Sequence, residues 1–291
     1  MSDPEQNVVV ITGASAGVGK ATAEAFARMG WHVIATGRNP VRCDQAEADI
    51  RSVASPGACV DFLRGDFCEM ADVKRIASEI AEITDRIDVL INNAGGVRDQ
   101  QYISSEGLEA TMAANHFAPF VLTRELLPIL KATAEKAPTG SVRVIAVSSA
   151  AHESCPVMRW EDLFWSKDYV ANGIYCQAKL ANLLFARELS RRVSSDGIIS
   201  QAMHPGVVDS NFGSHGDDFM RGFMENRDDK VPPERPARTL VWMATSPEAG
   251  EDPGRYFYDM KEVPAAPHAL DDEAASRLWD ETEKILATLG A

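Results

Sequence analysis

Short apolar runs alternate along this chain with longer stretches whose apolar positions recur at helical spacing. VVVIT (8–12) is β-branched without polar alternation, the pattern of a strand buried on both faces. A helix over Gly17–Met29 follows, then the strand WHVIAT (31–36), a helix over Pro40–Ser52 and a strand over Val60–Arg64. Met70–Ile83 reads as helix and DVLIN (88–92) as strand. Leu108–Leu130 is helical, with Pro119 and Pro128 expected to bend or interrupt it. SVRVIAVSS (141–149) is a strand, Asn172–Val193 a helix and IISQAMH (198–204) a strand. After a long irregular segment come a helix over Pro233–Thr245, the strand GRYFYD (254–259) and a charged amphipathic helix over Asp271–Leu289. This alternation predicts an α/β fold, a doubly wound parallel sheet of about seven strands with helices on both faces. No Gly-, Pro- or Ser-rich linker divides the chain, so residues 1–291 read as a single domain.

Composition narrows the partners. With 45% hydrophobic and 25% charged residues the chain is an ordinary globular protein. Its net charge of −14 repels phosphate backbones and anionic lipid, which argues against nucleic acid or a membrane surface. MSDPEQN carries no basic segment or cleavage site, so no signal peptide is expected. No uncharged run approaches the ~20 residues of a membrane-spanning helix. The five cysteines show no CxxC or other metal-ligand spacing, which points to free thiols, a reducing cytoplasm and no metal.

The helix NGIYCQAKLANLLF (172–185) sets a phenol and an ammonium into an apolar stripe. Tyr175 and Lys179 are four apart, so they share a face. Away from bulk water the ammonium should favour phenolate and lower the phenol's pKa. A Tyr and a Lys at this spacing also arise often by chance, and the pair alone decides nothing.

A second pattern changes those odds. TGASAGVG (12–19) joins the first strand to the first helix. Gly13, Gly17 and Gly19, with Ser15, Ala16 and Val18 between them, allow a tight turn and close approach to a ligand. The helix N-terminus beyond offers free N–H groups to a diphosphate. An ordinary glycine-rich turn is the weaker alternative. The second strand ends Thr36-Gly37-Arg38, without the carboxylate that would hold a ribose diol. A guanidinium there suits a 2′-phosphate, which favours NADP (NADPH) over NAD. Lys20 could assist or be a solvated helix residue.

TGASAGVG, NNAG (92–95), Asn115, Ser149 and YCQAK (175–179), in this order, resemble the short-chain dehydrogenases/reductases from Val8 to about Asp259. VSSAAH (147–152), YCQAKLANLLF and HPGVVDS (204–210) resemble the branch holding retinol dehydrogenases and related NADP-dependent carbonyl reductases. The resemblance implies an oxidoreductase acting between NADP(H) and an alcohol or carbonyl. It makes Tyr175 the general acid/base, Ser149 the group that orients the substrate oxygen, Lys179 the residue that tunes Tyr175 and binds the nicotinamide ribose, and Asn115 the holder of a proton-relaying water. It places Asp66 and Phe67 at the adenine, Asn92, Ala94 and Gly95 along the cofactor groove, and Pro205, Gly206, Val208 and Ser210 at the carboxamide. Ser210 stands where the family commonly has Thr. Asp66 could equally cap the helix beginning near Met70.

Alternation on the strand turns Ser148 away from Ser149, towards packing. His152 and His204 read as hydrogen-bonded structural or pocket residues. Cys176 points about 100° away from Tyr175 around the helix and has no catalytic part. His215 has no matching metal ligands.

Two segments lie where they could wall a substrate pocket. Residues 150–171 carry Met158, Trp160, Phe164 and Trp165, and residues 207–230 carry Phe212, Phe219, Met220, Phe223 and Met224. The last four fall on one helical face and would form an apolar lid, with Gly213, Gly216 and Gly222 permitting movement. Such walls fit an apolar or aromatic small molecule; packing of the lid onto the body is the alternative. The helices carrying Asn115 and Tyr175 could form a homodimer or homotetramer seam, as in members of the family. A catalytically silent dinucleotide-sensing protein, or a nucleotide-sugar epimerase or dehydratase, is a remaining alternative.

Overall fold

The computed structural model describes residues 6–210, 212 and 216–290. Its strands are β1 (Val8–Ile11), β2 (His32–Gly37), β3 (Val60–Arg64), β4 (Val89–Asn92), β5 (Val142–Val147), β6 (Ile198–Met203), β7 (Tyr256–Tyr258) and β8 (Lys261–Glu262). They form one sheet in the order β3-β2-β1-β4-β5-β6-β7-β8, parallel except for the final β7–β8 pair. The expected seven strands are thus joined by a two-residue antiparallel edge, too short to leave a periodic signal. β1, β4, β5 and β6 are buried along their whole length, so apolar residues dominate each. The polar Arg143 and Gln201 are themselves buried and hydrogen-bonded to backbone carbonyls.

The helices are α1 (Gly17–Arg28), α2 (Pro40–Val53), α3 (Met70–Ile83), α4 (Ala110–Met112), α5 (Ala118–Ala134), α6 (Ala171–Val193), α7 (Asp218–Glu225), α8 (Glu234–Thr245) and α9 (Asp272–Leu289). A π-helical turn, Ala113–Phe117, joins α4 to α5. The helical segment therefore holds a local widening just before Pro119, where the ring and missing N–H would otherwise strain a regular ladder. Pro128 lies inside α5 without ending it.

From Ile174 to Ala186 every residue of α6 is buried. Part of that cover comes from α9, where Trp279 stacks on Phe185 at 6.0 Å and meets Phe120 edge-on at 4.6 Å. His116 Nε2 adds a 2.8 Å hydrogen bond to Thr282 of α9. The helix faces expected to meet a second subunit thus carry the chain's own C-terminal helix. Among the described residues no helix is long and apolar enough to cross a membrane.

Strand order reverses between β1 and β4, and a crevice opens there at the carboxyl ends of the strands.

Candidate active site

That crevice is a cleft of about 1130 Å³. Its floor is the β1–α1 loop, where Gly13 and Gly17 have φ of +69° and +55°. A Cβ on Gly13 would sit 2.8 Å from the Ala94 backbone, so the loops after β1 and β4 touch only because that side chain is absent. Thr12 and Asn93 join the same loops. Thr12 Oγ1 accepts from the N–H groups of Asn93 and Ala94 at 3.0 and 2.8 Å, and Asn93 Nδ2 donates to Thr12 O at 2.8 Å.

Gly13, Ser15, Ala16, Gly17, Val18 and Gly19 all line the cleft. α1 begins there with no side-chain cap and no acidic residue in its first turn. An uncapped helix N-terminus of this kind suits an anionic diphosphate. The residues present therefore fit a dinucleotide.

At the far end of the groove Arg38 Nη1 pairs with Asp66 at 3.1 Å. Arg42, on the first turn of α2, also lines the cleft, as do Asp66, Phe67 and Arg98. Asp66 does not cap α3: its Oδ1 accepts from Cys68 N, while Glu106 takes the N–H groups of Met70 and Ala71.

Asn92 corrects an expectation. It does not line the groove but is buried beneath it, donating to Thr123 Oγ1 of α5 at 3.1 Å. The strand's alternation carries Asn92 inward, and Asn93 with Ala94 and Gly95 forms the wall. Arg42, Arg98, Thr12 and Asn93 were absent from the sequence-derived set; Thr12, opening TGASAGVG, and Asn93, inside NNAG, carried a local signal, and the two arginines did not.

The other end of the cleft holds the hydroxyls. Ser149 follows β5 and accepts from Ala151 N at 3.1 Å, while Ser148 turns the other way and donates to Lys179 O at 2.7 Å. Tyr175, on α6, lines the same cleft as Ser149. Burial pushes the phenol above its usual range, and the nearby Ser149 hydroxyl only partly offsets this. Lys179 Nζ lies 5.5 Å from the Tyr175 ring centroid and donates to Val147 O at 3.1 Å. Burial lowers its pKa to about 8. The phenol acidified by a neighbouring ammonium, expected from the spacing, is outweighed by desolvation.

Asn115 lies in the π-helical turn and braces the β4 loop. Its Nδ2 donates to Gly96 O at 2.8 Å and Thr111 O at 2.7 Å, and its Oδ1 accepts from Gly96 N at 3.2 Å. A Cβ on Gly95 would collide with that Oδ1 and approach Lys179 Nζ to 3.5 Å.

Pro205, Gly206, Val208 and Ser210 line the cleft beyond β6. Phe212 meets the Tyr175 ring at 5.3 Å, and Met220 of α7 packs against Tyr175 and Val97. Phe219 and Phe223 line the opening, 63% and 42% exposed. The aromatic residues of 150–171 behave differently. Met158 packs into the body, Phe164 meets Phe117, and Trp165 lies against Gly173 with its Nε1 bonded to Gln177. The first predicted wall gives the cleft only Ala150 and Ala151 as apolar side chains, while the second supplies the large ones, Phe212, Phe219, Met220, Phe223 and Met224. Gly213 and His215 lie outside the described residues. Cys176 lines the cleft, bonded to Asn172.

The short-chain dehydrogenase family model matches residues 7–218. The chain belongs to that family. This short-chain dehydrogenase is 34% identical over 285 residues to human retinol dehydrogenase 13, covering 96% of this chain and 84% of the relative. It is 35% identical to human dehydrogenase/reductase SDR family member 13 over 313 residues, covering 100% and 75%. A crystal structure of a protein from Mycobacterium paratuberculosis superposes with a TM-score of 0.74 at 29% identity, covering 98% and 95% of the two chains. Members of this family are oxidoreductases that use nicotinamide dinucleotides, and the sheet order and cleft agree with that.

Proposed function

We propose that this short-chain dehydrogenase transfers a hydride between NADP(H) and an apolar or aromatic alcohol or carbonyl compound. The observation that carries the reading is the convergence of Ser149, Tyr175 and Lys179 on one cleft, Lys179 one turn further along α6 from the phenol, where the uncapped start of α1 also opens.

The glycine loop and α1 N-terminus would hold the diphosphate, Arg38 and Arg42 a 2′-phosphate, and Pro205–Ser210 the nicotinamide end. NADPH supplies the hydride when bound. Ser149 donates to the substrate oxygen and fixes its position. Tyr175 gives its proton to that oxygen as negative charge develops there, and takes it back during oxidation. A phenol whose pKa is raised by burial holds its proton until the oxygen becomes strongly basic. The Lys179 ammonium then stabilises the phenolate left behind. Asn115 positions Gly95 and Gly96 beside Lys179; relay of protons through it belongs to the same proposal.

Two arginines and no carboxylate beyond Asp66 at the adenosine end support NADP. Phe212, Phe219, Met220, Phe223 and Met224 around the opening support an apolar substrate, and retinol, named for several relatives, is an apolar alcohol. The cover that α9 lays over α6 supports a molecule that does not use those helices as a subunit seam. The test is a screen of apolar ketones, aldehydes and steroids for loss of NADPH absorbance. Turnover that is abolished in Tyr175→Phe is expected; Tyr175→Phe activity equal to wild type would refute the assignment.

A further inference from the structure

His152 sits three residues past Ser149, fully buried, in the 3-10 turn Ala150–Ser154. Its Nδ1 lies 2.8 Å from Ser149 O, a carbonyl that can only accept, so Nδ1 carries a proton. Its Nε2 lies 3.1 Å from the Ala266 N–H, a group that can only donate, so Nε2 is bare. Both nitrogens are thus assigned by their partners, and the ring is neutral. A second bond runs in parallel: His268 Nε2 donates to His152 O at 3.1 Å. The segment between β8 and α9 is therefore pinned at two points to the turn that carries the Ser149 hydroxyl.

We propose that His152 is a positioning residue for the reaction, holding Ser149 in place as a neutral Nδ1–H tautomer latched to Ala266. This rests on the oxidoreductase reading only for its consequence in turnover. A second proton on the ring would set an N–H at Nε2 against the N–H of Ala266. The latch would then open, and the Ser149 turn would lose its brace.

The groups facing the ring are few. Glu153 on the same turn favours a second proton; His268 on the C-terminal segment opposes it. His204, just past β6, is lowered by burial and by His152 itself, and Tyr256 of β7 presents its ring edge-on at 5.3 Å. Burial outweighs Glu153 and holds His152 below the usual histidine range. The latch is accordingly closed at neutral pH and opens only under acid conditions.

Imidazole ¹⁵N shifts of the full chain, labelled at histidine, read the tautomer without reference to activity. A protonated Nδ1 and a bare Nε2 are expected for the signal that vanishes in His152→Asn; the opposite tautomer, or a doubly protonated ring near neutral pH, overturns the proposal. The pH profile of kcat supplies the second arm. His152→Asn keeps a donor for Ser149 O and cannot titrate, so it should stay within a few-fold of wild type near neutrality and lose the acid inflection. His152→Ala should lose about tenfold or more in kcat, with KM for NADPH unchanged. An acid inflection that persists in His152→Asn, or a His152→Ala enzyme as fast as wild type, overturns it. A wild-type protein that turns over nothing removes the oxidoreductase reading instead, and the tautomer alone then decides.

Discussion

Lys179 stands 5.5 Å from the centroid of the Tyr175 ring, yet the group that receives its hydrogen bond is the Val147 carbonyl, at 3.1 Å. The ammonium is held in place by the end of β5, beside the phenol, at the cost of its own desolvation.

That cost has a measurable sign. The pKa of Lys179 falls from 10.5 to about 8, so between those values the unfolded chain binds more protons. Stability owed to this group is lowest below that window and rises with pH through it. Lys179→Met should raise stability by on the order of 2 kcal/mol near neutral pH while removing turnover. Thermal unfolding and NADPH consumption on the same preparation check both halves, and a less stable Met variant contradicts the desolvation argument.

Rate should follow the same titration. Carbonyl reduction should decline as pH rises past about 8, where Lys179 loses its charge. In Lys179→Arg whatever activity survives should lack that alkaline limb, because a guanidinium stays protonated. Initial rates across an alkaline pH series measure it.

Cofactor choice should be shared between two arginines. Arg42→Ala should raise KM for NADPH about tenfold and leave KM for NADH nearly unchanged, as expected for one charge-assisted hydrogen bond. Arg38→Asp should move preference towards NADH, and more strongly, because it also sets a second carboxylate against Asp66. Paired steady-state kinetics with the two cofactors discriminate these outcomes.

Acid should unfold the protein through two histidines. Burial lowers His116 from 6.5 to about 3 and His204 from 6.5 to about 4. The unfolded chain therefore takes up more protons below pH 6.5, and stability falls as pH drops through that range. His116→Gln retains a donor for Thr282 and cannot titrate. The loss of urea stability between pH 7 and pH 5 should shrink in this variant by about 2 kcal/mol, roughly 1.36 kcal/mol for each pH unit below 6.5.

The same substitution, to Ala, should act oppositely at two glycines, lowering stability at Gly95 and raising it at Gly222. The Cβ of Gly95→Ala would meet Asn115 Oδ1, so both stability and activity should drop. Gly222→Ala meets nothing within 4 Å and lies inside α7, so it should stabilise that helix by about 0.5–1 kcal/mol. Circular dichroism melts compare the two.

Much of this architecture was legible in the chain because buried parallel strands are short, mostly apolar runs and glycines mark where loops must touch. The Tyr175–Lys179 spacing placed both groups on one face. What escaped was set by contacts between distant segments. Asn92 and Asn93 are chemically identical, and only the phase of β4 decides which one sees the cleft. The cap of α3 came from Glu106, 36 residues away, rather than from Asp66 beside it. Nothing local in residues 150–171 distinguished aromatic side chains that wall a cleft from ones that pack the body. The phenol's pKa depended on burial, which spacing does not report.

The stack of Trp279 on Phe185 has a consequence for how the molecule behaves when it is scarce. If α9 takes the place of a second copy on α6, as proposed, there is no association equilibrium to lose there on dilution, and specific activity should stay flat down to the lowest concentration an assay can follow.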